Sequence, residues 1–198
     1  MTIVRYPIVE VFESLQGEGT HSGIGATFVR LAGCNLRCSW CDTTHSFAVD
    51  KATTYTTGEL IEAFSFKQPL VVITGGEPTL HDLGPLVREL HNRKKYVCIE
   101  TNGTNPIPIE WGINWITVSP KPQSGYTITC PADELKYVVD DEFKLEFIRF
   151  DLVKQGRVFL QIESGRLESA KKAYDMIIRN PDLHLRLGVQ LHKVVGFE

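Results

Sequence analysis

Short apolar runs alternate with segments of helical period along this chain of 198 residues. "ATFVRLA" (26–32), rich in β-branched and aromatic residues, predicts a strand. "TTGELIEAFSF" (56–66) predicts a helix, with Thr57 as N-cap and Leu60, Ile61 and Phe64 on one face. "PLVVITGG" (69–76) is a nearly continuous apolar strand that ends in two glycines, and "HDLGPLVRELHNRKK" (81–95) returns to helical spacing through Leu83, Leu86, Val87 and Leu90. "YVCIETNG" (96–103) and "INWITVSP" (113–120) predict strands, and "ELKYVV" (134–139) is of mixed character. A helix is expected through "DEFKLEFIRFDLV" (141–153), a strand at "RVFLQ" (157–161) and a helix at "LESAKKAYDMIIRN" (167–180). "LRLGVQL" (185–191) is the expected last strand, with His192 at its end.

Strands buried on both faces and separated by helices predict an α/β fold of βα units around a parallel sheet. About six such units are fewer than a full eight-stranded barrel needs, so a partial, truncated barrel of TIM type is expected. Chemistry in such folds gathers at the C-terminal ends of the strands. "TGGEP", "ETNG", "SPKP", "LQIESG" and "LHK" all fall there. No internal repeat or linker divides residues 1–198, which are expected to form one domain.

Composition narrows the function by exclusion. Hydrophobic and charged fractions of 42% and 23% are those of a globular protein. A net charge of -3 is too mild for a nucleic-acid or membrane surface as the main purpose. No stretch is apolar enough to span a bilayer, and "MTIVRYPIVEVFES" lacks the basic start and apolar run of a signal peptide, so the cytoplasm is the expected compartment. Thiols stay reduced there, and five cysteines make a poor disulfide framework. Cys98, inside a strand, and Cys130, before Pro131, read as packing residues.

The other three, Cys34, Cys38 and Cys41, crowd into C-x3-C-x2-C on the loop that leaves "ATFVRLAG". Thiolates are soft ligands that select zinc, copper or iron–sulfur clusters. A structural zinc site would need a fourth ligand, for which His45 is the nearest candidate. A [4Fe-4S] cluster held by three cysteines keeps one iron open, and a ligand with both an amine and a carboxylate could chelate it.

"CNLRCSWC" (34–41) resembles the cluster loop of the radical S-adenosylmethionine (SAM) enzymes, and "TGGEP" resembles their glycine motif. The resemblance implies that Cys34, Cys38 and Cys41 hold three irons and that SAM chelates the fourth. It further implies one-electron cleavage of the sulfonium to give a 5′-deoxyadenosyl radical. Within that superfamily "VFESLQGEGTHSGIGATFVRLAGCNLRCSWCDT" (11–43), with "TGGEP", "ETNG", "SPKP" and "QLHKVVGFE", resembles the 7-carboxy-7-deazaguanine synthases nearly end to end. Those enzymes contract the ring of 6-carboxy-5,6,7,8-tetrahydropterin with loss of ammonia, on the path to queuosine-type bases. Their fold is a truncated barrel and they are homodimers, reduced by a flavodoxin or ferredoxin. The loop here lacks the longer insertion of some members, so the docking surface for the electron donor is expected to differ.

Residue by residue, the resemblance assigns the SAM side to Trp40, Cys41, Asp42, Gly76, Ser119, Pro120, Lys121 and Gln161. It assigns the substrate to Leu15, Gln16, Gly17, Glu18, Arg30, Thr74, His192 and the terminal Glu198. Glu18 suits a guanidine-like N–H edge, and Arg30 has a fork geometry suited to the substrate carboxylate or a carbonyl. Thr43 matches a magnesium-ligand position, where one hydroxyl plus substrate oxygens would serve Mg2+. Two other expectations bear weighing: a glycyl-radical activase, which shares this style of loop but needs no pterin pocket, and a non-catalytic Cys-ligated metal module, which leaves "TGGEP" and "SPKP" unexplained.

Overall fold

A computed structural model describes residues 3–197. Nine strands form one sheet in the order β3-β1-β2-β4-β5-β6-β7-β8-β9. From β2 (Gly25–Leu31) onward the neighbours β4 (Leu70–Gly75), β5 (Tyr96–Thr101), β6 (Trp115–Val118), β7 (Glu134–Val139), β8 (Val158–Ile162) and β9 (Arg186–Gly188) all pair in parallel. The mixed segment "ELKYVV" is therefore a central strand. β1 (Arg5–Leu15) and β3 (Thr53–Thr56) are added antiparallel at the other edge, neither of them expected from the apolar pattern. Among the described residues no pairing joins β9 back to β3, so the sheet is an open, mostly parallel α/β array.

Period-2 alternation divides the sheet into two environments. Val71 and Ile73 of β4, Val97 and Ile99 of β5, Ile116 and Val118 of β6, Leu135 and Tyr137 of β7 and Leu160 of β8 pack into the main core, on the side covered by helices. The intervening residues face the other side. Ala26, Leu70, Val72 and Cys98 close its floor, with Phe28 and Trp115 against them. One step further along each strand the same face carries Arg30, Thr74, Glu100, Ser119, Lys136 and Gln161, which all line one cavity.

The helical layer is thinner than expected. α1 (Thr57–Ala63), α2 (Gly84–Asn92) and α3 (Leu167–Arg179) cover the core, while other crossovers are 3-10 turns. The N-cap of α1 is Thr56, not Thr57. Its hydroxyl accepts from Glu59 N at 3.2 Å and the Glu59 carboxylate accepts from Thr56 N at 2.7 Å, a capping box. The helix expected over 141–153 is absent; that stretch holds two 3-10 turns, Leu145–Phe147 and Phe150–Leu152. Tertiary contacts outweigh its helical spacing: the Tyr137 hydroxyl donates to Phe147 O and accepts from Arg149 N, each at 3.2 Å, and Phe147 stacks on Tyr126 at 4.6 Å. The last strand is also shorter than expected. β9 ends at Gly188, and His192 belongs to a short helix, α4 (Leu191–Val195).

Candidate active site

The cysteine loop starts where β2 ends. Gly33 takes a left-handed φ of 95°, which turns the chain out of the sheet. Gly33 N donates to Ser46 O at 2.8 Å, so the loop closes on itself thirteen residues later in a 3-10 turn, Thr44–Phe47. Inside it, Arg37 Nη1 donates to Cys34 O and Leu36 O, both at 2.7 Å, and Cys41 N donates to Cys38 O at 3.3 Å. Cys34, Cys38 and Cys41 are free, half-buried thiols, and all three line the cavity. Burial pushes the Cys34 and Cys38 thiols up, so a metal must displace their protons.

Glycines let β4 press against that loop. A Cβ on Gly76 would stand 2.2 Å from Gly33 O and 2.9 Å from Cys34 Cβ. Gly76 N donates to Leu31 O at 3.0 Å and Glu77 N to Gly33 O at 2.7 Å. The Glu77 side chain, fully buried, then accepts from Thr79 N (3.0 Å), Thr79 Oγ1 (2.5 Å), Thr101 Oγ1 (2.7 Å) and Asn102 N (2.7 Å). Asn102 Nδ2 donates onward to Asn35 Oδ1 at 2.9 Å. "TGGEP" and "ETNG" thus brace the first turn of the cysteine loop. The three thiols beside bare backbone fit a cluster with an amino-acid chelate at the open iron.

The SAM-side candidates gather at the next strand ends. Lys121 Nζ donates to Ser119 Oγ at 2.5 Å and lies 5.2 Å from the centre of the Trp40 ring, with Pro120 buried between them in sequence. Burial, then the charge of Lys136, pulls the Lys121 ammonium below the ordinary lysine value. Trp40 Nε1 donates to Asp140 Oδ2 at 3.3 Å. Gln161 is 4% exposed, yet neither its Nε2 nor its Oε1 has a partner among the described residues. A buried amide without partners, lining the cavity, is a ready donor and acceptor for a bound base or ribose.

Charged and polar side chains crowd the neighbouring strand ends and the loops over them. Lys136 forms an ion pair with Glu18 and another with Glu100 at 2.6 Å. Gln16 Nε2 donates to Glu100 at 2.9 Å, and Gln190 Nε2 donates to Glu18 at 2.9 Å and to Asp42 at 3.1 Å. Lys193 Nζ reaches Asp42 at 2.6 Å. Burial would raise the Asp42 carboxyl, but the hydrogen bonds from Lys193 and Gln190, with the Lys193 charge, hold it well below the usual carboxylate range. Thr43 Oγ1 donates to Asp42 Oδ1 at 3.1 Å. Among the described residues no three His, Cys, Asp or Glu side chains converge on a single ion, so an ion at Thr43 would need substrate oxygens and water as further ligands. Arg30 Nε donates to Glu10 at 2.6 Å, and its guanidinium lies over Phe12, whose ring stacks on Phe28 at 5.1 Å.

One cavity therefore takes in Leu15, Gln16, Glu18, Arg30, Trp40, Asp42, Thr43, Thr74, Gly76, Ser119, Lys121, Gln161 and His192 beside the three cysteines. Gly17 stands just behind, under the His192 ring, and Glu198 lies outside the described residues. Glu77, Glu100, Lys136, Gln190 and Lys193 escaped the sequence reading. Glu77 and Glu100 at strand ends, and Gln190 and Lys193 within "QLHKVVGFE", lie inside quoted motifs that could have flagged them; Lys136 sits in the segment of mixed character.

The model of the radical SAM superfamily matches residues 28–121, from β2 through the cysteine loop to Lys121. The chain is 40% identical to the 7-carboxy-7-deazaguanine synthase of Bacteroides thetaiotaomicron, covering 95% of this chain and 96% of that one. The synthase of Synechocystis sp. is 37% identical over 98% of this chain and 94% of its own. The crystal structure of QueE from Escherichia coli superposes with a TM-score of 0.76 at 28% identity, covering 95% of both chains. With the cysteine loop, the glycine strand end and this full-length likeness, the chain belongs to the 7-carboxy-7-deazaguanine synthase family of radical SAM enzymes.

Proposed function

We propose that this protein converts 6-carboxy-5,6,7,8-tetrahydropterin to 7-carboxy-7-deazaguanine with loss of ammonia. The observation that carries the reading is the meeting of Cys34, Cys38 and Cys41 with the Glu18–Lys136–Glu100 wall in one cavity. When bound, the cluster and SAM supply one-electron sulfonium cleavage and hydrogen abstraction, chemistry that side chains cannot provide.

The chain's own residues bind and orient. Glu18 and Glu100 offer carboxylate acceptors to the N–H edge of an aminopyrimidinone ring. Phe12 and Phe28 give the flat ring an aromatic wall. Arg30, steadied by Glu10, directs its remaining donors to the substrate carboxylate. Thr74 stands at the strand end between the two ligands, and His192 with α4 closes the cavity. Gln161, Ser119 and Lys121 hold the nucleoside part of SAM, and the bare Gly76 takes its amino-acid end. Mg2+ at Thr43 would orient substrate oxygens, a template role. A flavodoxin or ferredoxin as reductant, a homodimer and a cytoplasmic location complete the reading. Among the described residues no helix is long and apolar enough to cross a membrane.

The test is anaerobic. Protein reconstituted with iron and sulfide is mixed with dithionite, SAM, Mg2+ and 6-carboxytetrahydropterin, and products are read by mass spectrometry. Deoxyadenosine together with 7-carboxy-7-deazaguanine is the expected result. Deoxyadenosine without the deazapurine would leave the cysteine chemistry standing and remove the pterin as substrate.

A further inference from the structure

Lys136 extends from β7 into the cavity with its side chain 7% exposed. Its ammonium is shared by carboxylates from two other elements, Glu18 beyond β1 and Glu100 at the end of β5. Each carboxylate spends its other oxygen on a side-chain amide, Glu18 on Gln190 and Glu100 on Gln16. An ionised carboxylate offers about four lone-pair sites, so each of these oxygens retains a direction for a ligand after accepting one protein donor. The pair is thereby aimed in advance, with acceptors still available.

Two carboxylates held against one small volume would not both stay ionised without a cation between them. If one took a proton, it would present an O–H to the cavity where an acceptor is needed. We infer that Lys136 is the positioning residue that keeps Glu18 and Glu100 together as ionised, aimed acceptors, and so sets the cavity's selectivity for a ring with an N–H-rich edge. The inference rests on the proposed function for the identity of that ring.

The surroundings agree. Burial would lower the Lys136 ammonium, but Glu100 and Glu18 outweigh it and hold the group above the ordinary lysine value. Burial would raise the Glu100 carboxyl, and Lys136 outweighs it in turn, holding that group below the usual carboxylate range. Lys121 faces the hub from beyond β6 and turns its ammonium to Ser119. Glu134, on the same strand, is occupied by Thr20 N at 2.9 Å and Thr117 Oγ1 at 3.0 Å. β8 contributes the neutral Gln161, and α4 contributes His192, a titratable ring on the same cavity.

Calorimetric titration of the anaerobic holoenzyme with 6-carboxytetrahydropterin tests this, comparing Lys136→Met with wild type so that contributions common to both cancel. The ratio of dissociation constants is expected to be on the order of tenfold or more near pH 6.5 and to fall toward one near pH 9, as both carboxyls ionise. Iron content stays unchanged, and Lys136→Arg restores a flat ratio. Should Lys136→Met fail to fold, Lys136→Met/Glu100→Gln leaves one carboxylate without a like-charged neighbour and should give a flat ratio. A flat ratio for the single variant, or a falling one for the double, overturns the inference. Wild type that does not bind the pterin overturns the proposed function instead.

Discussion

The imidazole of His192 lies over the Cα of Gly17, where a methyl group would stand 2.0 Å from Nδ1 and 3.0 Å from Cγ. Leu191 N also donates to Gly17 O at 2.9 Å. The turn "LQGEG" and the short helix α4 therefore meet through both ring and backbone, and only a residue without a side chain permits that approach.

Gly17→Ala should displace the His192 ring and loosen α4 while the sheet stays intact. Overpacking a close contact costs about 1–3 kcal/mol, and here a short terminal helix can yield to relieve part of it. The expected outcome is a KM for the pterin raised on the order of tenfold, with iron content and substrate-free deoxyadenosine formation unchanged. Steady-state kinetics beside an iron assay decides it; an unchanged KM would separate His192 from the substrate.

Cys38→Ala removes one of three thiols that line the cavity. Its backbone carbonyl still accepts from Cys41 N, so the loop should hold its course. The protein is expected to fold with an unchanged far-UV spectrum and to lose the brown absorbance and SAM cleavage together. A variant that still cleaves SAM would show that Cys38 is not a ligand.

What was legible in the sequence lay within short contiguous segments. The cysteine loop and "TGGEP" each place their chemistry in a few adjacent residues, and apolar runs marked most of the parallel strands. β1 was not legible because "RYPIVEVFESL" carries Pro7, Glu10 and Glu13, and it is held by antiparallel pairing with β2 and β3 on either side. The helix expected over 141–153 gives way to a side chain outside it, Tyr137, whose hydroxyl captures the backbone at Phe147 and Arg149. Lys136 escaped for a similar reason, since its partner Glu18 is 118 positions away. Local patterning cannot report a contact made only after the sheet has formed.

Glu77→Gln tests the brace between strand ends. The carboxylate is fully buried and accepts from two backbone N–H groups and two hydroxyls. Glutamine turns one acceptor into a donor facing donors, which should cost about 2–4 kcal/mol. For a chain of this size that lowers Tm by roughly 5–15 °C. Thermal unfolding followed by circular dichroism measures it, and reconstitution should also retain less iron because Asn102, which holds Asn35, loses its anchor.

Asp42→Asn makes the opposite prediction. The Asp42–Lys193 pair is nearly half exposed, with side chains 46% and 43% accessible, so its contribution to folding is small, about 0–1 kcal/mol. It nonetheless joins the cysteine loop to α4, and Gln190 extends the same contact to Glu18. Loss of the charge should leave Tm within about 4 °C of wild type and raise the pterin KM several-fold, because the cost falls on ordering the tail and not on the core. An exposed pair is also screened by salt, so the wild-type KM should climb with ionic strength while the variant's stays flat. Parallel KM measurements at low and high salt are decisive: curves that run parallel would mean that the pair does not hold the tail closed.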